Sequence, residues 1–382
     1  MRVLFVDDEP RVLSGLRRSL VMEGVDWDTC FVDSGEAALA ALATEPYDVV
    51  VSDMRMPRID GAAVLAAARE RDPGMVRIML SGQADERAAL HVVRVAHQFL
   101  AKPCDVKVLR QVVERTGALQ RTLEDPELRT MVGSVDRLPS ALRIFHELSE
   151  LLSGDDASTE RVTELLCQDP AMASKLLQFA NSALFTQSRE ISDVRQAVVR
   201  LGTKTVKNLV LGLGVFDTMI QSPLACVVSV DEMLRRAFTT AGIASGVMIE
   251  REQADSAYMA GLACDVGELV LAARRSEHLS DAWRRASDRG VPRTELEFEI
   301  FGVSHAEVGA CLLGSWGLPF AVVEAVAHHH APDRSARPGV GVASAVWIAS
   351  CLASGQEPDP RLVETLAARE TLRRARELAS MA

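Results

Sequence analysis

The chain has 382 residues, with 53 acidic and 42 basic side chains and a formal charge of −11. That length suits two or three domains, and a hydrophobic content of 48% is ample for packed cores. The acidic balance argues against a broad nonspecific nucleic-acid surface, which needs clustered Lys and Arg. The apolar start at residues 1–6 meets Asp7 at once and does not read as a secretory leader. The apolar stretch 208–216 closes at Asp217, far short of the ~20 residues needed to span a bilayer. Seven cysteines are scattered with no CxxC pair. That suits reduced thiols in a cytoplasmic protein better than a disulfide framework.

Strand-like runs occupy residues 2–6, 27–32, 47–52, 76–80 and 97–100, and stretches of helical periodicity such as 35–43 lie between them. Five strands alternating with helices predict a doubly wound parallel sheet. In such sheets ligands bind beyond the carboxyl ends of the strands, at the topological switch point. Asp7 and Asp8 follow the first strand, Asp53 the third, Ser81 the fourth and Lys102 the fifth. All five therefore converge on one edge. Three neighbouring carboxylates repel one another, and a hard divalent ion such as Mg2+ suits their oxygens. With the Lys102 ammonium and the Ser81 hydroxyl beside it, such an edge accepts a phosphoryl group, Asp53 being the nucleophile. Each residue alone has a plainer use: Asp7, Asp8 and Asp53 as caps, Lys102 as a surface charge. Phe99, three residues before Lys102, is by default core packing.

After about residue 117 the pattern changes. "TGALQRTLEDPELRT" reads as a polar helical connector, and from about 130 onward every element reads as helix. Asp169 and Pro170 offer an N-cap and a first-turn proline for a helix reaching Asn181. Ser304 and Glu307 form a capping box, and Gly317 followed by Pro319 closes that helix. The tail 361–382 reads as one amphipathic helix, free to pack on the bundle, pair with a second copy or meet a partner. The expected organisation is an α/β domain over 1–120, a connector over 121–130, an all-helical domain over 131–335 and a helical extension over 336–382.

Residues 1–120 resemble the receiver domain of bacterial two-component response regulators. The matching strings are "VDDE" (6–9), "DMRMPRIDG" (53–61), "MLSGQ" (79–83) and "AKP" (101–103). The resemblance implies a flavodoxin-like fold in which Asp53 accepts phosphate from a histidine kinase or phosphotransfer protein. It implies Mg2+ held by the side chains of Asp7, Asp8 and Asp53 and by the backbone carbonyl of Arg55. Ser81 and Lys102 match the groups that sense the phosphoryl oxygens, and Phe99 matches the switch aromatic. Ser81 stands where threonine is commoner, but the hydroxyl is kept.

The helical half resembles the HDOD module over about 130–330. The strings are "LLCQDPAMASKLLQFANSALF" (165–185), "AGLACDVGELVL" (260–271), "FGVSHAEVGACLL" (301–313), "WGLP" (316–319) and "AVAHHHAP" (325–332). HDOD modules resemble HD phosphohydrolases that have lost their metal ligands. Here Ala237 stands where an upstream histidine would sit, and Cys264-Asp265 replaces the His-Asp pair. Glu268 stands where the hydrolases usually carry lysine. His305, His328 and His329 remain at degenerate positions of that site, with His330 beside them. Adjacent histidines on one helix cannot all face one ion, and His328–His330 are expected to serve a helix end, so no metal is expected in this half. The expectation is a response regulator of a phosphorelay, in which Asp53 phosphorylation switches a noncatalytic module that binds signalling partners, a second copy among them. Direct DNA binding is disfavoured, since no helix-turn-helix signature follows the receiver. The alternative is a receiver-gated HD-type phosphohydrolase acting on cyclic dinucleotides.

Overall fold

Five short runs of aliphatic and β-branched residues build the first unit of this computed structural model. The structure describes residues 1–81, 95–123, 125–135, 139–140, 144, 147–148, 151–152, 158–181, 190–207, 210, 217–218, 230–336 and 339–380. The segment between the fourth and fifth strands (82–94), with Gly82 and Gln83 of the "MLSGQ" string, lies outside them. So do 182–189 and, apart from Val210, the apolar stretch 208–216.

The strands are β1 (Arg2–Val6), β2 (Asp28–Val32), β3 (Val49–Asp53), β4 (Val76–Ser81) and β5 (Gln98–Ala101). All pairings are parallel, in the order β2-β1-β3-β4-β5. Every residue of β3 and β4 is buried, which explains the unbroken apolar runs: a parallel sheet is covered on both faces. The covering helices described are α1 (Pro10–Met22), α2 (Gly35–Thr44), α3 (Gly61–Arg71) and α4 (Val106–Thr122). Their starts are chemically marked. Ser34 accepts from the Ala37 N–H and Asp60 from the Ala63 N–H, each satisfying an otherwise orphaned donor. The chain crosses from β2 over β1 to reach β3, so the switch point falls between β1 and β3, where Asp7, Asp8 and Asp53 emerge.

The connector is helical in two pieces, α4 and α5 (Pro126–Gly133), the latter capped by Asp125. A buried arginine ties α5 to the sheet. Arg77, on β4, donates to the carbonyls of Pro73 (2.8 Å), Met75 (2.9 Å), Val95 (2.7 Å) and Gly133 (3.0 Å). Its Nη2 also lies 2.7 Å from Nε2 of His97.

The second unit is a helical bundle drawn from residues beyond 136. One departure from the all-helical expectation is a two-residue parallel ladder, β6 (Pro139–Ser140) with β7 (Asp217–Thr218). Pro139 lacks the N–H that a helix interior needs, which favours an extended segment. The helices described are α6 (Thr159–Leu166), α7 (Pro170–Ala180), α8 (Val194–Leu201) and α9 (Thr203–Lys207). Then come α10 (Val230–Gly246), α11 (Arg251–Ala263), α12 (Val266–Arg289), α13 (Arg293–Phe301), α14 (His305–Ser315), α15 (Phe320–His328) and α16 (Val342–Ala353). Asp169 accepts from the Ala171 and Met172 N–H groups at the start of α7, as its place before Pro170 predicts. Glu307 reaches back to the Ser304 N–H at 2.9 Å to start α14.

The tail corrects its expectation. It forms two helices, α17 (Pro360–Thr365) and α18 (Arg369–Ala379), broken where Ala367 takes φ +53°. α18 packs on α10 and α16, burying Thr371 and Ala375. Residues 251–273 are long and apolar enough to cross a membrane, longer than 208–216, but 83% of the apolar window is buried within the protein.

Candidate functional sites

At the first site, strand ends deliver the side chains. Asp7 is 2% exposed, Asp53 8% and Ser81 1%. Asp8 is half-buried, and Arg55 lies exposed in the loop two residues beyond Asp53. The carboxylates of Asp7, Asp8 and Asp53 offer oxygens that all lie within 4.8 Å of one another. Lys102 Nζ sits 2.6 Å from Asp7 and 2.7 Å from Asp53. Burial lifts the Asp53 carboxyl above its ordinary range, although Lys102 pulls the other way. Burial also works against charge on Lys102, but the two carboxylates prevail and its pKa is raised. A single ammonium thus answers two carboxylates, with a third beside them. The donor set is oxygen throughout, which fits a hard divalent ion such as Mg2+.

The loop beyond β3 holds Asp53 in place. Gly61 donates its N–H to the Met54 carbonyl at 3.1 Å, and a Cβ at Gly61 would stand 2.0 Å from the Asp53 carbonyl oxygen. Only glycine allows this approach. Arg58 takes φ +66°, a conformation costing a non-glycine residue of order 1 kcal/mol. Ser81 directs its hydroxyl toward Met54 Sδ at 3.4 Å. Phe99 is 5% exposed, lying inside the unit.

The second cluster is built from helix ends. Glu297 on α13 is fully buried and answers three donors. Its Oε2 accepts from the His305 backbone N–H at 2.9 Å and faces His305 Nδ1 at 2.7 Å, while Oε1 accepts from Trp283 Nε1 at 3.0 Å. Burial disfavours charge on both partners, yet their pairing holds His305 up at about 9 and Glu297 down at about 2. Arg236 donates from Nη2 to Asp265 and to Glu268, both at 3.1 Å. Burial and the charge of Asp265 push Glu268 up to about 7. Ala237 is buried, and its neighbour Arg236 carries the charge from that helix. Cys264 is buried with Sγ donating to the Gly261 carbonyl, and burial pushes its pKa well up, so it stays a thiol.

The histidines do not behave as a plain helical run. His328 ends α15 half-buried and belongs to no ligand-like group among the described residues. Beyond it His329 and His330 leave the helix and both turn toward His305. The three offer ring nitrogens within 4.8 Å of one another. The adjacent His328, His329 and His330 therefore do not all face one point, as expected; His329 and His330 do so together because the helix ends at His328. Sequence reasoning passed over Arg236 and Glu297, and named His330 only as a neighbour of the site. The upstream helix was read only for a missing histidine, when a basic residue there carried the signal.

The chain matches the family model of the HDOD domain over residues 138–332 and that of the response regulator receiver domain over 3–114. An uncharacterized protein of Treponema pallidum is 27% identical over 228 residues, covering 59% of this chain and 44% of that protein. The response regulator protein FleR of Pseudomonas aeruginosa is 32% identical over 161 residues, 41% of this chain and 34% of its own length. The matches span less than half the length of those relatives. Among solved structures, the MmoQ response regulator from Methylococcus capsulatus shares the fold, with TM-score 0.50 and 24% identity over 65% of this chain and 98% of that one.

Proposed function

Since the chain belongs to the HDOD family and carries the receiver domain of a two-component response regulator, we propose that phosphorylation of Asp53 switches a noncatalytic HDOD module that binds signalling partners. The observation that carries this reading is the convergence of Asp7, Asp8, Asp53 and Lys102 on the switch-point edge of the sheet. The phosphodonor is a phosphohistidine of a kinase or phosphotransfer protein. A carboxylate oxygen of Asp53 bonds to phosphorus as the bond from phosphorus to the donor nitrogen breaks, and that nitrogen leaves with the electron pair. Asp7, Asp8 and Asp53, with the Arg55 carbonyl, would hold Mg2+, which supplies charge neutralisation for the transferring oxygens. Lys102 already spans Asp7 and Asp53, so its ammonium is at hand for the charge gained at Asp53.

The phosphoryl group adds about −1.5 to −2 charge and strong acceptor oxygens at that edge. Ser81, on β4, supplies the hydroxyl that answers them, and Phe99, on the neighbouring β5, lies buried opposite Met79, two residues before Ser81 on β4. Both strands run back to the Arg77–His97 pair that holds α5. Any shift between β4 and β5 therefore reaches the connector through contiguous hydrogen bonds. For the helical half, Arg236 bridging Asp265 and Glu268 supports a binding role over hydrolysis.

The test is labelling with a small phosphodonor in Mg2+. Wild type should take up phosphate and Asp53→Asn should take up none. Undiminished labelling of Asp53→Asn overturns the assignment. Turnover of a cyclic dinucleotide that Asp265→Ala abolishes would replace the noncatalytic reading with a hydrolase.

A further inference from the structure

Met54 follows Asp53, the last residue of β3, and Ser81 is the last residue of the neighbouring β4. Their side chains meet: the Ser81 hydroxyl donates to Met54 Sδ at 3.4 Å. Both are buried, Ser81 at 1% exposure and Met54 at 7%. The main chain of each is tied down. The Met54 N–H donates to the Leu80 carbonyl at 3.0 Å, and the Met54 carbonyl accepts from the Gly61 N–H at 3.1 Å. The Ser81 carbonyl accepts from the Lys102 N–H at 2.8 Å. With both backbones so held, Ser81 can redirect its hydroxyl only by rotating its side chain.

A serine hydroxyl has one proton to donate. Here that proton goes to a thioether, which is a weak acceptor. Phosphoryl oxygens are charged, and hydrogen bonds to ionised groups are roughly twice as strong as neutral ones. The sulfur is therefore good enough to engage the hydroxyl at rest and poor enough to lose it to a phosphoryl group on Asp53. A carbonyl oxygen in the same place would compete harder. An aliphatic side chain would not compete at all.

We propose that Met54 is a positioning residue of the switch: its sulfur holds the Ser81 hydroxyl in the resting orientation and sets how readily Ser81 turns to the phosphoryl oxygens. This role rests on the receiver reading of Asp53 and adds to it the group that Ser81 leaves. A ligand shifts a two-state equilibrium only by its differential affinity for the two states. Removing the sulfur weakens the resting state alone, so the switched state is reached more easily and a phosphoryl mimic binds more tightly. A neutral hydrogen bond has a modest net effect, and one to sulfur falls at the low end, which corresponds to ~2–5-fold in affinity.

The experiment is calorimetric titration of beryllofluoride, in Mg2+, into the full chain. Met54→Leu nearly conserves volume while removing the acceptor, and should bind ~2–5-fold more tightly than wild type. Met54→Ile, equally without sulfur, should give the same gain, and circular dichroism checks that each variant is folded. The deciding step repeats the comparison in a Ser81→Ala background. With no hydroxyl to hold, the gain should vanish. A gain of the same size without the hydroxyl marks ordinary repacking beside Asp53 and overturns the proposal. So does no gain, or a loss, when Ser81 is present. A wild-type chain that binds no beryllofluoride and takes up no phosphate overturns the Asp53 assignment and this role with it. Tight binding without a Ser81-dependent gain overturns this role alone.

Discussion

The two clusters solve the same electrostatic problem in opposite ways. At the sheet edge, three carboxylates face one ammonium, and the site lies where strands emerge from the sheet. In the bundle, Arg236 and Arg293 accompany Asp265 and Glu268, while Glu297 and His305 pair with each other. Among the described residues the edge is short of positive charge, which suits the divalent ion and phosphoryl group proposed for it. The bundle cluster nearly neutralises itself, with arginine or histidine set against each buried carboxylate. A shortage of cation favours chemistry, whereas matched charges favour a fixed structure.

The largest expected effect tests the self-neutralising half. Arg236→Met leaves Asp265 and Glu268 without their guanidinium and should destabilise the second unit by about 3–5 kcal/mol in chemical denaturation. Arg236→Met with Glu268→Met should recover a good part of that. No recovery in the double variant would mean the charges were never coupled. In the first unit the buried Arg77 answers carbonyls, and Arg77→Met should cost about 2–4 kcal/mol by orphaning them. It should also raise amide exchange in α5, because the Gly133 carbonyl loses its donor. Unchanged exchange there would break the link between β4 and the connector.

Glycines offer a smaller and cleaner contrast. A Cβ on Gly61 would lie 2.0 Å from the Asp53 carbonyl, and one on Gly267 would lie 1.9 Å from that of His305. Each site residue is thus packed by its backbone against a glycine. Alanine at either position should cost about 1–3 kcal/mol, Gly61→Ala slowing phosphorylation and Gly267→Ala loosening the histidine cluster. The smallest effect is expected at Gly246. There the added methyl meets only the flexible tip of Leu378, and helix propensity favours alanine. Gly246→Ala should change unfolding free energy by less than ~1 kcal/mol, a result that separates backbone contact from mere proximity.

Both folds and the receiver edge were legible in the sequence. The five strands were located within a residue or two because buried parallel strands are written as unbroken apolar runs. Asp7, Asp8, Asp53, Ser81 and Lys102 followed from a rule that turns strand ends into a shared edge. Each of those residues is placed by its own strand, so a local signal sufficed. The tail was misread as one helix because Ala367, at φ +53°, carries no glycine or proline to announce the break.

The resemblance gathered Asp265, His305 and His329 at one degenerate site, but tertiary structure decided the rest of the bundle cluster. Whether His329 and His330 face His305 depends on where α15 stops, and whether they meet Asp265 depends on how closely α12 and α14 approach at Gly267 and Gly309. Glu297 meets His305 because α13 ends just before α14 begins, and Arg236 meets Asp265 because α10 packs on α11. A strand points its end at a common edge whatever its neighbours do. A helix spreads its side chains around a cylinder, and only packing selects which of them meet.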